Sequence, residues 1–266
     1  MKKILFILFL ISWVGTFNLS GQILHFESFS VILDTTKKIK GSIVPDFKFE
    51  SQKKDLIEFE NVSDITLLIK NSALTFANKV ELSKYGKEVL LSGGYLYVEY
   101  GKILEQKFSI DPFSQIHWSE ARGLEFKYAG GIYARYIIIN KEKLGFFAGL
   151  GTFYEHERWN YEGVKDTSLI PAITNDVYSD RFKLGSYFSL KYKSDYNFTI
   201  DISIYHQSMY DEVFATPRLA GSASITYNFT EHLGLIAKYQ NIYDYNPVVP
   251  IDKLFNRLIL SIDISF

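Results

Sequence analysis

Apolar and polar residues alternate with a period of two along much of this chain. From residue 198 to 204, every even position is Phe or Ile and every odd position is Thr, Asp or Ser. The alternation recurs at 219–230 and at 181–192, where the charged side chains Arg181 and Lys183 share one face. Successive side chains of a β-strand point to opposite sides, so this pattern predicts strands with one apolar and one polar face.

About twelve segments of strand character follow residue 40, each bounded by Gly, Lys, Asn or Asp, and helical spacing is not sustained among them. The predicted strands are 41–50, 56–69, 72–83, 88–100, 107–118, 124–136, 144–155, 181–192, 198–205, 219–230, 233–240 and 254–266.

The predicted connections alternate in length. Tight connections fall near 70–71, 140–143, 193–196 and 230–232, and longer ones near 119–123, 159–180, 207–217 and 244–253. Outer-membrane barrels have short turns at one end, where both termini lie, and longer loops at the other. The first third departs from this rule, because 101–106 on the short side is longer than 85–87 on the long side. The pattern predicts a barrel whose strand number is least determined near the N-terminus.

The two faces of these strands differ in composition. Charged residues share their face with glycines and small polar residues, while the other face is almost wholly Leu, Ile, Phe and Tyr. A soluble β-sandwich or lipocalin-like barrel is the alternative, and it would turn its apolar face inward. The composition favours lipid outside and a polar interior. We therefore predict an all-β fold, a transmembrane antiparallel β-barrel of the outer-membrane type with about twelve strands, over residues 41–266.

The N-terminus has the features of a secretory signal peptide. It reads MKKILFILFLISWVGTFNLSGQ, with two lysines, an apolar core at 4–14 and the small residues Ser20 and Gly21. A membrane anchor is the alternative, but the core is shorter than the roughly 20 residues that a spanning helix needs. We predict a cleaved signal peptide at 1–21 and a periplasmic segment at 22–40. The absence of Cys excludes a lipoprotein anchor and disulfides.

Charge and composition narrow the possible partners. Twenty-nine Lys and Arg are balanced by 30 Asp and Glu along the chain, so no basic stripe is available for a phosphate backbone. We expect no nucleic-acid partner. We predict a monomer whose partners are outer-membrane lipid and the barrel assembly machinery.

Charged side chains are predicted on the inward face of the barrel. They are Glu125, Lys127, Arg135, Glu155, Arg181, Lys183, Lys191, Asp201, Lys238, Arg257 and Asp263. Because an unpaired charge in a confined interior is costly, we expect these groups to pair across the lumen or to face trapped water. Barrels of eight strands are filled by side chains and barrels of sixteen leave a channel, so twelve strands predict a narrow or plugged lumen.

The last residues, LILSIDISF, form the most regular strand. Five apolar side chains alternate along it with Ile, Ser and Asp, and they are Leu258, Leu260, Ile262, Ile264 and Phe266. A final strand that ends on an aromatic residue resembles the C-terminal signal read by the barrel assembly machinery. We expect these five side chains to face lipid.

The segment YEHERWNYEG carries the ligand types of a metal site. Glu155, His156 and Glu157 are possible ligands, but in a strand His156 points away from the two carboxylates. The alternative is a strand end at which the acids pair with lysines or arginines. In that interpretation an outer aromatic girdle contains Tyr154, Trp159 and Tyr161.

A second segment, YHQSMYDE, places His206 and Ser208 on one face. Nucleophilic catalysis would need the two side chains within hydrogen-bonding reach and a third group to orient them. Residues two apart on a strand are poorly placed for this. We assign no catalytic, metal or cofactor residue.

Two segments resemble a known family. The runs FSIDPFSQIHWSEARGLEFKYAGGIYARY (108–136) and LGFFAGLGTFYEHERW (144–159) are similar to the salt-induced outer membrane proteins, an uncharacterised domain-of-unknown-function family of Gram-negative envelope barrels. The likeness extends over 41–266. It implies a fold and a location and carries no catalytic set.

These observations predict a porin-like barrel without enzymatic activity. We expect the protein to be a narrow passive channel or a structural protein of the envelope. The family resemblance implies a role in osmotic or salt adaptation. The alternatives are a lipid-modifying enzyme at the rim, near His156 or His206, and a surface receptor that uses the loop 159–180.

Overall fold

The computed structural model describes residues 38–51, 54–105 and 107–266. The predicted signal peptide 1–21 and all but the last three residues of the predicted segment 22–40 lie outside these residues. Among the described residues, no helix is both long and apolar enough to cross a membrane.

The described chain forms a closed antiparallel β-barrel of twelve strands, which confirms the predicted fold class. Each strand pairs with its neighbours in sequence, and β1 closes the barrel against β12. The strands are β1 (Ile39–Glu50), β2 (Leu56–Ile69), β3 (Ser72–Tyr85), β4 (Glu88–Glu105), β5 (Phe108–Ser119), β6 (Leu124–Lys141), β7 (Leu144–Trp159), β8 (Val177–Lys193), β9 (Phe198–Met209), β10 (Arg218–Asn228), β11 (Leu233–Asp244) and β12 (Leu254–Ser265). Two short 3-10 turns, Glu120–Arg122 and Thr167–Leu169, lie in the connections.

The connections differ in length between the two ends of the barrel. The short-turn end carries 70–71, 106–107, 142–143, 194–197 and 229–232, together with the start of β1 and the end of β12. The long-loop end carries 51–55, 86–87, 120–123, 160–176, 210–217 and 245–253. β4 continues to Glu105 through a register irregularity near Ile103, so the segment predicted as a loop at 101–106 is mostly strand. The connection 106–107 is therefore no longer than 86–87, although 86–87 remains a two-residue turn at the long-loop end.

The outer surface is an apolar band. On β12 the side chains predicted to face lipid are exposed, with fractions of 51% for Leu258, 66% for Leu260 and 52% for Ile262. Exposed aliphatic and aromatic residues occupy the same face of the other strands; examples are Phe76, Leu96, Ile116, Ile132, Leu150, Phe188, Ile204, Ile225 and Leu235. Soluble monomers rarely expose a contiguous apolar surface of this kind. The apolar exterior and polar interior are those of a transmembrane barrel.

Glycines on the inner face leave room for large rings. A Cβ at Gly185 would collide with the hydroxyl of Tyr133, and a Cβ at Gly149 would collide with the ring of Tyr187. The two tyrosines can therefore lie across the lumen against the β7 and β8 backbones. Small residues opposite large ones are how a small barrel fills its interior.

Candidate functional site

The most buried charges form a cluster in the half of the lumen near the long loops. This loop-side ionic cluster consists of Lys127, Glu155, Glu157, Lys183, Arg218 and Asp244. The Lys127 ammonium lies 2.5 Å from Glu155 Oε2 and 2.7 Å from Glu157 Oε1. Lys183 pairs with Glu155, and both glutamates are only 1% exposed.

Arg218 joins the cluster to a third carboxylate. Its guanidinium lies 3.3 Å from Glu155, 3.4 Å from Glu157 and 2.8 Å from Asp244. The cluster thus holds three cationic and three anionic side chains. Desolvation would cost several kcal/mol for each isolated ion, so mutual neutralisation is what allows these charges inside the barrel.

The two-residue period of each strand decides which of these side chains face inward, and the register between strands decides which of them lie opposite one another. Glu155 and Glu157 are two apart on β7 and therefore share the inward face, and Lys127 on β6 lies directly opposite Glu157. Arg218 and Asp244 are register partners at the loop-side ends of β10 and β11. Five strands therefore contribute to one cluster.

A hydrophobic cap covers this cluster at the long-loop mouth. It consists of Leu124, Trp159, Val164, Val249, Ile251 and Phe255, which pack together in one buried core. Val164, Val249 and Ile251 come from the long loops, so these loops fold into the mouth. In the described residues, side chains of these loops are thus buried at the long-loop mouth.

Arg122, which lies in the 3-10 turn after β5, packs against two rings of the hydrophobic cap. Its guanidinium carbon lies 4.2 Å from the centre of the Phe255 ring and 5.5 Å from that of Trp159, within the range of cation–π contact. Burial lowers the pKa of Arg122 to about 10, which leaves the side chain cationic at neutral pH. Gly163 lies against the Arg122 backbone, where any Cβ would collide.

An aromatic layer crosses the lumen beneath the loop-side ionic cluster. It comprises Tyr97, Phe113, Tyr133, Tyr187 and Tyr205, whose consecutive ring centres are 6.1, 5.4, 5.5 and 5.2 Å apart. These residues come from β4, β5, β6, β8 and β9. The layer therefore places aromatic rings from five strands at one level of the lumen.

A second set of charges lies on the other side of the aromatic layer. In this turn-side ionic cluster, Arg135 lies 2.9 Å from Glu99 and 2.8 Å from Asp111, and its Nε donates to the Tyr187 hydroxyl at 2.9 Å. The cluster borders a cavity of about 70 Å³ that reaches Lys70 and Asn71 at the short-turn end. The turn-side half of the lumen therefore contains a cavity, whereas buried charges and loop side chains occupy the loop-side half.

A further network connects β12 to β2 and β3. Arg257 pairs with Glu60 and lies 3.0 Å from Glu81. Lys79 lies 2.6 Å from Glu81 and 3.5 Å from Glu60. This network of Lys79, Glu60, Glu81 and Arg257 crosses the inner side of β1, next to the place where β1 meets β12, and we call it the seam network.

Most of the predicted inward charges lie on the inner face. Lys127, Glu155 and Lys183 belong to the loop-side cluster, and Arg135 belongs to the turn-side cluster. Lys191 forms an ion pair with Asp201 at 3.2 Å, and Asp263 accepts a 2.5 Å hydrogen bond from Ser42 Oγ. Lys238 lies on a cavity wall, and Arg181 is the β8 register partner of Glu155 on β7.

Glu125 and Trp159 depart from the prediction. Glu125 pairs at 2.8 Å with Arg158, and Arg158 is an exposed residue that lies over the outward Tyr178 ring. Glu125 leaves the inner face because the β6–β7 register shifts between Leu124 and Phe126. Trp159 lies in the cap rather than in an outer girdle, is 2% exposed and donates from Nε1 to Glu157. The parity that turns Glu157 inward turns Trp159 inward as well.

Several interior residues escaped the sequence prediction. Glu157 could have been found, since it lies two residues from Glu155 on the same face. Arg218, Asp244, Glu99 and Asp111 had no such signal, because their roles depend on which strands lie opposite one another.

The two sequence motifs with catalytic or ligand residues do not assemble. His156 contacts Asp180 at 2.8 Å on the outer surface, away from Glu155 and Glu157. Within residues 38–51, 54–105 and 107–266, no group of three or more His, Asp or Glu side chains is arranged so that it could hold a metal ion. His206 Nε2 lies 2.9 Å from the Val213 carbonyl oxygen, and Ser208 Oγ is buried without a hydrogen-bond partner in the described chain.

Comparison with known proteins gives only distant structural similarity. No family model and no curated protein matches the sequence. Among solved structures, NanC porin is 11% identical with a TM-score of 0.44, over 85% of this chain and 97% of that one. KdgM porin is 10% identical with a TM-score of 0.44, over 86% and 99%. The toluene transporter TodX of Pseudomonas putida is 9% identical with a TM-score of 0.39, over 86% and 80%. At these values the similarity assigns neither an activity nor a substrate to this chain.

Proposed function

We propose that this protein is a narrow outer-membrane channel for small ions or polar solutes, closed in the described conformation. The observation that supports this proposal is the uneven filling of the lumen. The turn-side half contains a cavity of about 70 Å³ lined in part by Glu99, Asp111 and Arg135, while the loop-side half is filled by charges and by inward-folded loops. A purely structural barrel would need no such cavity, and a plug made partly of loop residues can be displaced without breaking strand pairing.

The same proposal covers location and assembly. The apolar exterior is suited to an outer membrane, reached by export and insertion through the barrel assembly machinery as a monomer, with Leu258, Leu260, Ile262, Ile264 and Phe266 as the insertion signal. The resemblance to salt-induced outer membrane proteins supports a role in osmotic adaptation.

Planar-bilayer conductance tests the channel. We expect small and infrequent openings from the purified wild type. Val249→Ser with Ile251→Ser should loosen the cap, and Tyr133→Ala with Tyr187→Ala should open the aromatic layer, so that the fourfold variant conducts at least several-fold more than the wild type. Leu169→Ser with Ile173→Ser is the matched control, because these side chains are exposed in a long loop. If the folded fourfold variant stays silent across several salts, the channel proposal is wrong and the barrel is structural.

A further inference from the structure

The closure between β1 and β12 is much shorter than every other strand pairing in the barrel. Only Ser42–Ser265 and Ile43–Ile264 are in register, together with the two backbone hydrogen bonds between Gly41 and Phe266. By contrast, β1 pairs with β2 over its full length, Ile39–Glu50. Among the described residues, the pairing of β1 with β12 thus stops near the short-turn end. We call the interval between β1 and β12 beyond Ile43 the seam.

Local chemistry explains where the pairing stops. Pro45 has no N–H to donate at the first outward position beyond the last register pair. Its carbonyl oxygen instead accepts a 3.1 Å hydrogen bond from the Ser261 hydroxyl of β12. The strands therefore remain near each other at Pro45 without continuing the backbone ladder.

A cavity lies directly behind the seam. It has a volume of about 70 Å³, and both seam strands line it, with Val44 from β1 and Ile259 from β12. Val62 from β2 and Ile236 from β11 complete an aliphatic wall. These four side chains depart from the polar lining expected inside a membrane barrel. On the outside, Phe47 and Leu260 flank the seam and are 67% and 66% exposed.

We propose that this cavity binds the alkyl chain of a membrane amphiphile, which enters from the surrounding lipid through the seam. The aliphatic wall receives the chain, and the apolar surface formed by Phe47 and Leu260 is continuous with it. Backbone groups without partners are costly in lipid, so the seam is the weakest part of the barrel wall and the place where the wall parts most easily.

The polar lining selects the headgroup. Asp46 and Asp64 line the cavity together with a single cation, Lys238, while Glu60 is held by Arg257 and Lys79. The carboxylates favour an amphiphile with an amine or neutral headgroup over a fatty acid. Arg257 reaches Glu60 and Glu81 across the inner side of β1, so the seam network limits how far the seam opens.

Photolabelling of the full chain in lipid nanodiscs tests the site. The probes are hexadecylamine, hexadecanoic acid and phosphatidylethanolamine, each with a diazirine in the middle of the alkyl chain. We expect labels on Val44, Val62, Ile236 and Ile259, with the amine labelling these positions more than the acid. Labelling by the phospholipid identifies the bilayer as the source of the chain, and labelling by the free amine alone identifies a single-chain ligand. Labels confined to outward positions such as Leu260, or stronger labelling by the acid, would overturn the proposal as stated.

A cysteine staple tests the route, since the chain has no natural Cys. Phe47→Cys with Leu260→Cys joins the outer sides of the seam at the second outward pair beyond Ile43–Ile264, where a continued β1–β12 register would place these two residues opposite each other. Oxidation should reduce inward labelling at least tenfold, and reduction should restore it. The matched control is Leu235→Cys with Ile262→Cys, an exposed register pair on the fully paired β11–β12 wall, which should leave labelling unchanged.

Unchanged labelling after oxidation of the seam staple would show that the seam is not the route. Val62→Asp with Ile236→Asp alters the cavity and leaves the seam intact, and it should also abolish inward labelling in protein that still shows heat-modifiable migration. Photolabelling and conductance are measured separately. A negative labelling result would therefore contradict the lipid site without contradicting the channel, and a negative conductance result would contradict the channel without contradicting the lipid site.

Discussion

The Lys127 ammonium lies between the carboxylates of Glu155 and Glu157, at 2.5 and 2.7 Å, in a part of the barrel that solvent hardly reaches. One cation thus serves two glutamates that would otherwise repel each other on the same strand face. Lys183 on the neighbouring strand β8 and Arg218 on β10 complete the neutralisation. The stability of the loop-side half of the barrel depends on this balance.

Lys127→Met should destabilise the barrel by about 3–5 kcal/mol, the cost of leaving a buried charge without its partner. Urea unfolding in lipid vesicles, followed by heat-modifiable gel migration, measures the change. Lys143→Met is the control, because Lys143 pairs with Asp195 on the exposed surface between two short turns, and we expect no measurable change.

A double variant shows that the Lys127 effect is electrostatic rather than steric. Lys127→Met combined with Glu157→Gln should lose less stability than the sum of the two single variants, because the second change removes one of the charges that the first leaves uncompensated. Additive losses would contradict a shared ion pair.

Ile262→Arg tests the facing of the last strand. Ile262 is 52% exposed on the outer surface, so an arginine there should cost roughly 2–4 kcal/mol if the position faces the middle of the bilayer. Ser261→Arg, on the cavity side of the same strand, should be tolerated better. Equal stability of the two variants in reversible unfolding would contradict the assigned facing.

Gly185→Ala tests the packing of the aromatic layer. The added Cβ would collide with the Tyr133 hydroxyl, so we expect a loss of about 1–3 kcal/mol. Tyr133→Phe removes the colliding atom and should recover part of this loss in the double variant. If Tyr133→Phe gives no recovery, the two side chains do not meet as described.

His206→Ala and Ser208→Ala should leave lipid turnover unchanged. The His206 ring is engaged with the Val213 carbonyl oxygen, and no hydrogen bond joins it to Ser208 in the described chain. Mass spectrometry of outer-membrane phospholipids from cells that express each variant provides the measurement. If either variant yields less lyso-lipid than the wild type at equal expression, the result would support the alternative function of a lipid-modifying enzyme at the rim.

Local alternation accounts for most of the inner face but not for its exceptions. The structure places Lys127, Glu155 and Lys183 on the inner face, because side-chain direction along a strand depends only on the backbone. Glu125 was misplaced, since a register shift in β6 changes parity and alternation alone gives no sign of it. Trp159 was misplaced because an aromatic residue near a strand end was assigned to the girdle against its own parity.

The residues that complete the sites come from distant parts of the chain. Arg218 meets Glu155 across 63 positions, and Arg257 meets Glu60 across 197. Neither pair has a local signal. Both depend on strand order, register and barrel closure, which follow from the whole set of pairings.

The sequence by itself determined that this chain forms about twelve two-faced strands with lipid outside and charge inside, because alternation is a local property of an extended backbone. Only the tertiary structure decided which charges neutralise one another, that the long loops fold into the mouth, and that β1 and β12 part beyond Ile43. These features arise from contacts between residues far apart in sequence, and the closure of the barrel brings those residues together.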